Sequence, residues 1–462
     1  MRTILHDPAV AWHLRTFESW GTRTDFSKWT EYEWHDIATD GHEGGKLDEI
    51  TSEYWSEAEY EYFEGYFRTG LDLPGVDTDP YMGVVRDGQD KWLKAILLAH
   101  CPRLRNLAFM RYSADDDMTH PVHAIVEVIC FIHLNRQSIS DPVRWPAGFQ
   151  SLRTLSVGVE TKHRDVTPGE GYCLDPRDVA LLLLLPNLET LSICGIQDAE
   201  NRYLSDESEE FEPPARRSPV QHLHLQDAYC GLQPIVQLFM VIKSLKSVLL
   251  VDCDIIEGDG DGWDESMIEH LTRAHAESLE SLLFSIISTP AREAYPVPYP
   301  RYDPSLTRHL KQLRHVSINL RDLYSRYPNS TSDAQQCSHS GTLRGLLEGY
   351  LPPSLEVLHI CDDSDRMPTD DFDSLPTDAL DGLDNALLHL LLSGACPKLA
   401  VIDLRGLVYD IGDEVFGQTL ARGNTMDVQF LLKGEQSSIP SIIAGMPRPV
   451  TEQDLLTSPG RD

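Results

Sequence analysis

Apolar residues return along this chain in a six-residue frame, L-x-x-L-x-L, with Val, Ile or Phe standing in for Leu. The copies are LRNLAF (104–109), LRTLSV (152–157), LETLSI (188–193), VQHLHL (220–225), LKSVLL (245–250), LESLLF (279–284), LRHVSI (313–318), LEVLHI (355–360) and LAVIDL (399–404). About nine copies at an uneven spacing of roughly 25 to 48 residues describe a repeat interrupted by insertions. In an extended strand alternate side chains face opposite sides, so the fourth and sixth positions point inward together. The first position closes the layer at the strand entrance, and the third and fifth point outward.

Between copies the period changes to that of an apolar-faced helix: KWLKAILLAH, HAIVEVICFIHL, DPRDVALLLLL, PIVQLFMVIK, ESMIEHLTRAHAESL, GTLRGLLEGYL and DNALLHLLLSG. Several of these end at Pro or Gly, as in HCPRL, LLPNL, LPPSL and ACPKL. The expected unit is strand, loop, helix, turn and strand again. One such unit cannot bury its apolar face alone, so stacking on neighbours is what stabilises it.

LKSVLLVDCDI (245–255) extends the frame with Cys253 at its ninth position and Ile255 at its eleventh, the full pattern of a leucine-rich repeat. Over residues 90–407 the chain resembles leucine-rich-repeat proteins, and more narrowly the fungal F-box-associated group. That narrower likeness is carried by CPRLRNL, LPNLETLSI, LKQLRHVSI and LPPSLEVLHI, and by MRTILHDPAVAWHLRTFESW, which is similar to the helix-and-strand segment following the F-box in that family. Elsewhere the ninth position holds Tyr112, Ile196, Asp363 or Leu407, a departure that implies less regular turns. The resemblance implies an α/β leucine-rich-repeat solenoid, a horseshoe of about nine irregular strand-helix repeats, over residues 90–424, with an acidic loop at 196–219. Residues 1–89 would cap it with an acidic, aromatic-rich insertion, and 425–462 would form a C-terminal cap and disordered tail.

The resemblance also implies substrate recognition in an F-box-like ubiquitin-ligase setting, with ligase components as partners if an F-box lies upstream. No F-box is found in the chain, which is expected to be either truncated upstream or a relative that dropped the module. A stand-alone leucine-rich-repeat scaffold without a ubiquitin link is the first alternative. A hydrolase or metal protein with a loop-built site is the second.

Charge narrows the partners. With 73 acidic against 39 basic residues the formal net charge is −34, a field that repels phosphate backbones and anionic lipid. Protein partners are therefore expected, and neither nucleic acid nor membrane. The 9 cysteines are scattered and never form CxxC, no apolar run reaches the ~20 residues that cross a bilayer, and the first residues lack a signal-peptide core. Reduced thiols in a cytoplasmic or nuclear protein fit this pattern.

Two regions break the repeat. Residues 31–64 mix about a dozen acidic residues with Tyr32, Trp34, Tyr54, Trp55, Tyr60 and Tyr62. They read either as a capping insertion whose aromatics pack on the first repeat or as a dock for a basic partner. LSDESEEFEPPARRSP (204–219) reads as a solvated loop and a candidate phosphorylation site. EGDGDGWDESMIE (257–269) imitates a calcium loop, but Ile268 falls where the bidentate Glu belongs, so a turn leading into a helix is the reading. His222, His224 and Cys194 lack a fourth zinc ligand, and HPVH (120–123) lacks a deaminase's Glu and Cys spacing. G-x-S-x-G, Walker, G-x-G-x-x-G and H-E-x-x-H signatures are all missing. Neither a cofactor nor a metal nor catalysis is expected.

The remaining candidate is the outward row of the strands, small and neutral with interspersed histidine: Thr154, Thr190, Ser192, His222, His224, Ser247, Ser281, His315, His359 and Asp403. These residues are the candidate protein-binding concave face. Each inward Leu contributes roughly 1.5–3 kcal/mol by burial. A charge at Leu191 or Leu358 is therefore expected to lower the denaturation midpoint of the whole array, and an unchanged unfolding curve would refute the repeat reading.

Overall fold

The computed structural model describes residues 3–4, 7–19, 55–69, 71, 77–86, 90–110, 120–138, 145–159, 173–197, 214–251, 253–256, 266–285, 302–324, 347–361, 379–407 and 416–432. The chain divides into two compact units, one built on Met1–Val220 and the other on Gln221–Arg448. In the first unit β1 (Thr16–Ser19), β2 (Asn106–Met110), β3 (Thr154–Val159) and β4 (Thr190–Gln197) lie side by side in chain order, all parallel. In the second, β5 (His222–Gly231), β6 (Ser247–Val251), β8 (Ser281–Ser285), β9 (His315–Asn319), β10 (Val357–Cys361), β11 (Val401–Gly406) and β12 (Gln429–Leu431) do the same, while β7 (Asp254–Ile256) pairs with the far end of β5.

Each of the nine frames enters its strand at the third position, and the first, fourth and sixth residues are buried throughout. Three strands lie outside those frames: β1, β12 and the short β7 that follows the 245–250 copy. β1 carries the related string LRTFES, following the short helix α1 (Pro8–His13), so the segment likened above to a helix and strand has that form. β12 is entered from Asp427 rather than Leu, which hid it from the pattern.

Helices connect the strands where the period changed. α2 (Glu57–Thr69), α3 (Asp79–Arg86), α4 (Lys91–His100), α5 (Pro121–Ser138), α6 (Ala147–Ser151) and α7 (Pro176–Leu182) belong to the first unit. α8 (Leu232–Val241), α9 (Ser266–Ala274), a 3-10 turn (Pro304–His309), α10 (Leu320–Tyr324), α11 (Ala379–Ser393) and α12 (Gly417–Thr425) belong to the second. Asp-Pro starts three of these elements: Asp7, Asp175 and Asp303 each accept a hydrogen bond from the backbone two residues on, at 2.9, 2.8 and 2.9 Å. The carboxylate satisfies an otherwise orphaned N–H, and the following Pro needs no partner for its own nitrogen.

α4 is not merely apolar on one face, since every residue from Lys91 to Ala99 is buried. Its second side is covered from the N-terminal segment. There Trp55 meets Phe63 edge-on at 5.1 Å, and Phe67 and Tyr81 pack on Trp92 of α4 at 5.5 and 4.4 Å. Of the aromatics expected to pack on the first repeat, Trp55, Tyr60 and Tyr62 meet Phe63 of their own segment, and residues 31–54 lie outside the described range. Lys94 tolerates burial because Asp90 lies 3.0 Å away.

Side chains at the repeat joints tie one turn to the next. Ser151, Ser278 and Ser354, each just before a frame, donate to the carbonyls of Leu104, Leu245 and Leu313 at 2.6, 2.8 and 2.7 Å. Cys253 and Cys361 point thiols at the carbonyls of Leu225 and Ile318 on the preceding frames, at 3.4 and 3.5 Å. Gly158 follows a register shift at Phe109/Met110 and adopts φ +78, with the Cys194 carbonyl only 2.1 Å from where a Cβ would stand. Only glycine fits this bulge. Among the described residues no cysteines form a disulfide, and no helix is long and apolar enough to cross a membrane.

The joint serines give a graded test. Ser278→Ala and Ser354→Ala should each lower the unfolding free energy by about 1 kcal/mol. Ser244→Ala, at the same frame position but exposed, should change it by less than about 0.5 kcal/mol in chemical denaturation.

Candidate functional site

Strand register brings the candidate residues into two rows. In the second unit the third frame positions run His222, Ser247, Ser281, His315, Val357 and Val401, each beside the next on a neighbouring strand. The fifth positions include His224 beside Leu249, and Ser317 beside His359 beside Asp403. A short serine next to a histidine on the adjoining strand is within hydrogen-bond reach, and the pairing occurs three times. His222 Nδ1 lies 2.6 Å from Ser247 Oγ, His315 Nδ1 2.5 Å from Ser281 Oγ, and His359 Nδ1 2.8 Å from Ser317 Oγ.

This ladder is not the open row that alternation suggested. His224, Ser247, Ser281, His359 and Asp403 are all 3% exposed or less, and Ser192 is buried as well. His222, His315, Thr154 and Thr190 are half-buried. The sixth-position leucines are buried too, so both faces of these strands are shielded and an alternating pattern could not tell one from the other. Asp403, read as an outward carboxylate, is held by Arg405 through Nε and Nη2 at 2.9 and 2.8 Å.

Burial governs the protonation of these rings. Desolvation pushes His224, His315 and His359 down to about 4, with the nearby Arg314 adding to the effect at His315 and Asp403 opposing it at His359. Among the described residues neither ring nitrogen of His224 has a hydrogen-bond partner, and neither does Nε2 of His359. His224 lies in a row with Leu249 and is fully enclosed, so it behaves as a neutral core side chain.

Ser317, His359 and Asp403 stand on three successive strands in the order of a hydrolytic triad. Their bonding follows a different plan. Ser317 Oγ accepts from the Phe284 backbone N–H at 3.0 Å and the hydroxyl is wholly buried, while the Asp403 carboxylate is committed to Arg405. A nucleophile must be accessible and its base oriented by the acid. The arrangement fits a structural ladder.

The first unit keeps its outer row more open. Thr16, Asn106, Thr154 and Thr190 are in register across β1 to β4, with Thr16, Glu18 and Asn106 exposed and the Asn106 amide 3.3 Å from Thr16 Oγ1. Thr16 and Glu18 were not among the sequence candidates. The signal was there, because Phe17 occupies the fourth position of a frame whose sixth is the untypical Ser19.

Along the strand entrances the second frame position carries a charge ladder. Arg153 pairs with Glu189 at 3.1 Å, and Arg314 grips Glu356 at 2.9 and 2.7 Å. Among the described residues no three His, Cys, Asp or Glu side chains converge as a metal site. The calcium-like residues 257–265 and the acidic residues 204–213 lie outside the described range. Neither a scan against models of known protein families nor a search of curated proteins returned a match for this chain.

Enclosed histidines make a pH prediction. Their folded values lie below the ordinary 6.5, so the unfolded chain binds more protons as pH falls from about 6.5 toward 4. The stability of the neutral rings is therefore complete above about 6.5 and lost through that window. For a fully buried ring the loss between pH 7.5 and 5 is on the order of 2 kcal/mol. His224→Leu should flatten the acid limb of stability by about that amount relative to the unsubstituted chain, measured by denaturant midpoints across pH. Superimposable curves would show that His224 titrates normally.

Proposed function

We propose that this chain is a leucine-rich-repeat solenoid acting as a non-enzymatic protein-recognition module, in the role of substrate recognition in an F-box-like ubiquitin-ligase setting. The observation that carries the reading is the conversion of all nine frames into parallel strands entered at the same frame position. Stacked strands joined by helices curve into a horseshoe and present one long row of side chains to a partner. The Cys253 thiol on the preceding frame's carbonyl and the helix-strand start at α1 and β1 support the leucine-rich-repeat reading and its F-box-associated form.

Within that reading the open part of the outer row, Thr16, Asn106, Thr154 and Thr190, is where a protein partner makes contact. Small hydroxyl and amide groups give hydrogen bonds there without a large desolvation cost, and the exposed Glu18 on the same strand as Thr16 helps orient the approach. The buried Ser-His ladder of the second unit keeps its strands in register.

The test is capture of the native protein, tagged at its own locus, alongside an Asn106→Arg/Thr154→Arg variant. Ligase adaptor and cullin subunits should be recovered with both, and a discrete set of further proteins only with the unsubstituted form. Absence of ligase subunits would sink the ubiquitin setting and leave a stand-alone scaffold. A protein set indifferent to the two substitutions would sink recognition through this row.

A further inference from the structure

The strand entrances of the first unit hold a charge mismatch. Downstream, two cations of the second frame position meet carboxylates, Arg153 with Glu189, and Arg314 with Glu356 and, at 4.0 Å, Glu280, while Lys246 forms no ion pair among the described residues. At the first two strands the corresponding residues are Arg15 and Arg105, like charges on adjacent strands whose backbones join through Arg105 N to Arg15 O at 2.8 Å. Arg103 adds a third cation. Among the described residues neither Arg103 nor Arg105 forms an ion pair, and both are exposed. The Arg15 guanidinium donates to the carbonyls of Trp12 and Leu14, at 2.8 and 3.4 Å. Partial desolvation lowers its affinity for a proton, and the positive fields of Arg103 and Arg105 lower it further.

Like charges on neighbouring strands are destabilising unless something offsets them. In a chain with a net charge of −34 carboxylates are plentiful, yet among the described residues none forms an ion pair with Arg15, Arg103 or Arg105. Beside the cations lies apolar surface. Trp12 is 51% exposed with the Arg103 guanidinium 5.1 Å from its ring centre, and Val10 is 36% exposed. Arginine and tryptophan are the residues that most often dominate interface energetics, and guanidinium matches carboxylate in a two-pronged geometry.

We propose that Arg15, Arg103, Arg105 and Trp12 form a docking point for an acidic peptide segment that also carries an apolar side chain. The proposal rests on the recognition reading above and names its partner's chemistry. Carboxylates of the segment replace the missing counter-charges along the strand entrances. Its apolar side chain covers the open part of the Trp12 ring, which strengthens the neighbouring charge pairs by excluding water.

The test uses the purified full chain and a fluorescein-labelled peptide alternating glutamate and leucine, read by fluorescence anisotropy at low and physiological salt. Binding should weaken with salt, and about tenfold in Arg103→Glu/Arg105→Glu and again in Trp12→Ala. Lys243→Glu, an exposed cation of the second unit, should stay within about twofold. Thermal midpoints verify folding, and the neutral pair Arg103→Gln/Arg105→Gln replaces the charge reversal if that one unfolds.

No peptide binding, binding indifferent to the rim variants, or equal competition by an oligothymidylate of matched charge would each overturn the proposal. The last would mark an indiscriminate polyanion surface. A captured protein set that survives the rim variants but is lost with Asn106→Arg/Thr154→Arg refutes this docking point while leaving the recognition reading intact. The reverse pattern supports the docking point and refutes recognition through the outer row.

Discussion

A strand in a parallel sheet cannot satisfy its own backbone, so each repeat of this protein depends on the repeat before it. At successive joints within each unit two neighbouring N–H groups share one carbonyl of the preceding frame: Arg153 and Thr154 on Arg105, Glu280 and Ser281 on Lys246, Glu356 and Val357 on Arg314. The joint serines and the two thiols repeat that dependence with side chains. Apolar first, fourth and sixth positions then have one place to go, between the sheet and its helices, and their burial holds the register that the hydrogen bonds require.

That constraint explains the chemistry of the outer row. Register sets serine beside histidine on neighbouring strands, and enclosure makes a hydrogen bond between them the way to avoid an unsatisfied polar group. Ser317, His359 and Asp403 come to resemble a triad because three adjacent strands offer three adjacent polar side chains. The depressed proton affinity of His359 and the committed hydrogen bonds of Ser317 and Asp403 follow from enclosure. The open row and the basic rim at the start of the first unit differ in being accessible, and among the described residues Arg103 and Arg105 form no ion pair.

The repeat frame was legible because six-residue periodicity reports burial on one face directly. Asp-Pro, not singled out in the sequence, starts three elements for an equally local reason, since both cap and ring act within two residues. Other features left weaker traces. β1 ends its frame on Ser19, and β12 enters from Asp427, so neither scored as a copy. The full burial of α4 was hidden because its cover includes Phe67 and Tyr81, residues separated in sequence by a segment with no shared period. Arg105 stands at the second letter of a frame, Arg15 at that of a near-copy and Arg103 just before one, but nothing in the string told which of them would meet a carboxylate.

By itself the sequence determined the repeating strand-helix unit, the inward side chains of each frame, the polarity of the outer positions and the excess of negative charge. These are properties of residues within one turn of each other, where alternation and helical period act directly. Only the tertiary structure decided which outward residues are enclosed, which serine meets which histidine, and where charge remains uncompensated. Those outcomes depend on which repeats are neighbours and on what lies over each face, and such long-range placement leaves no period in the chain.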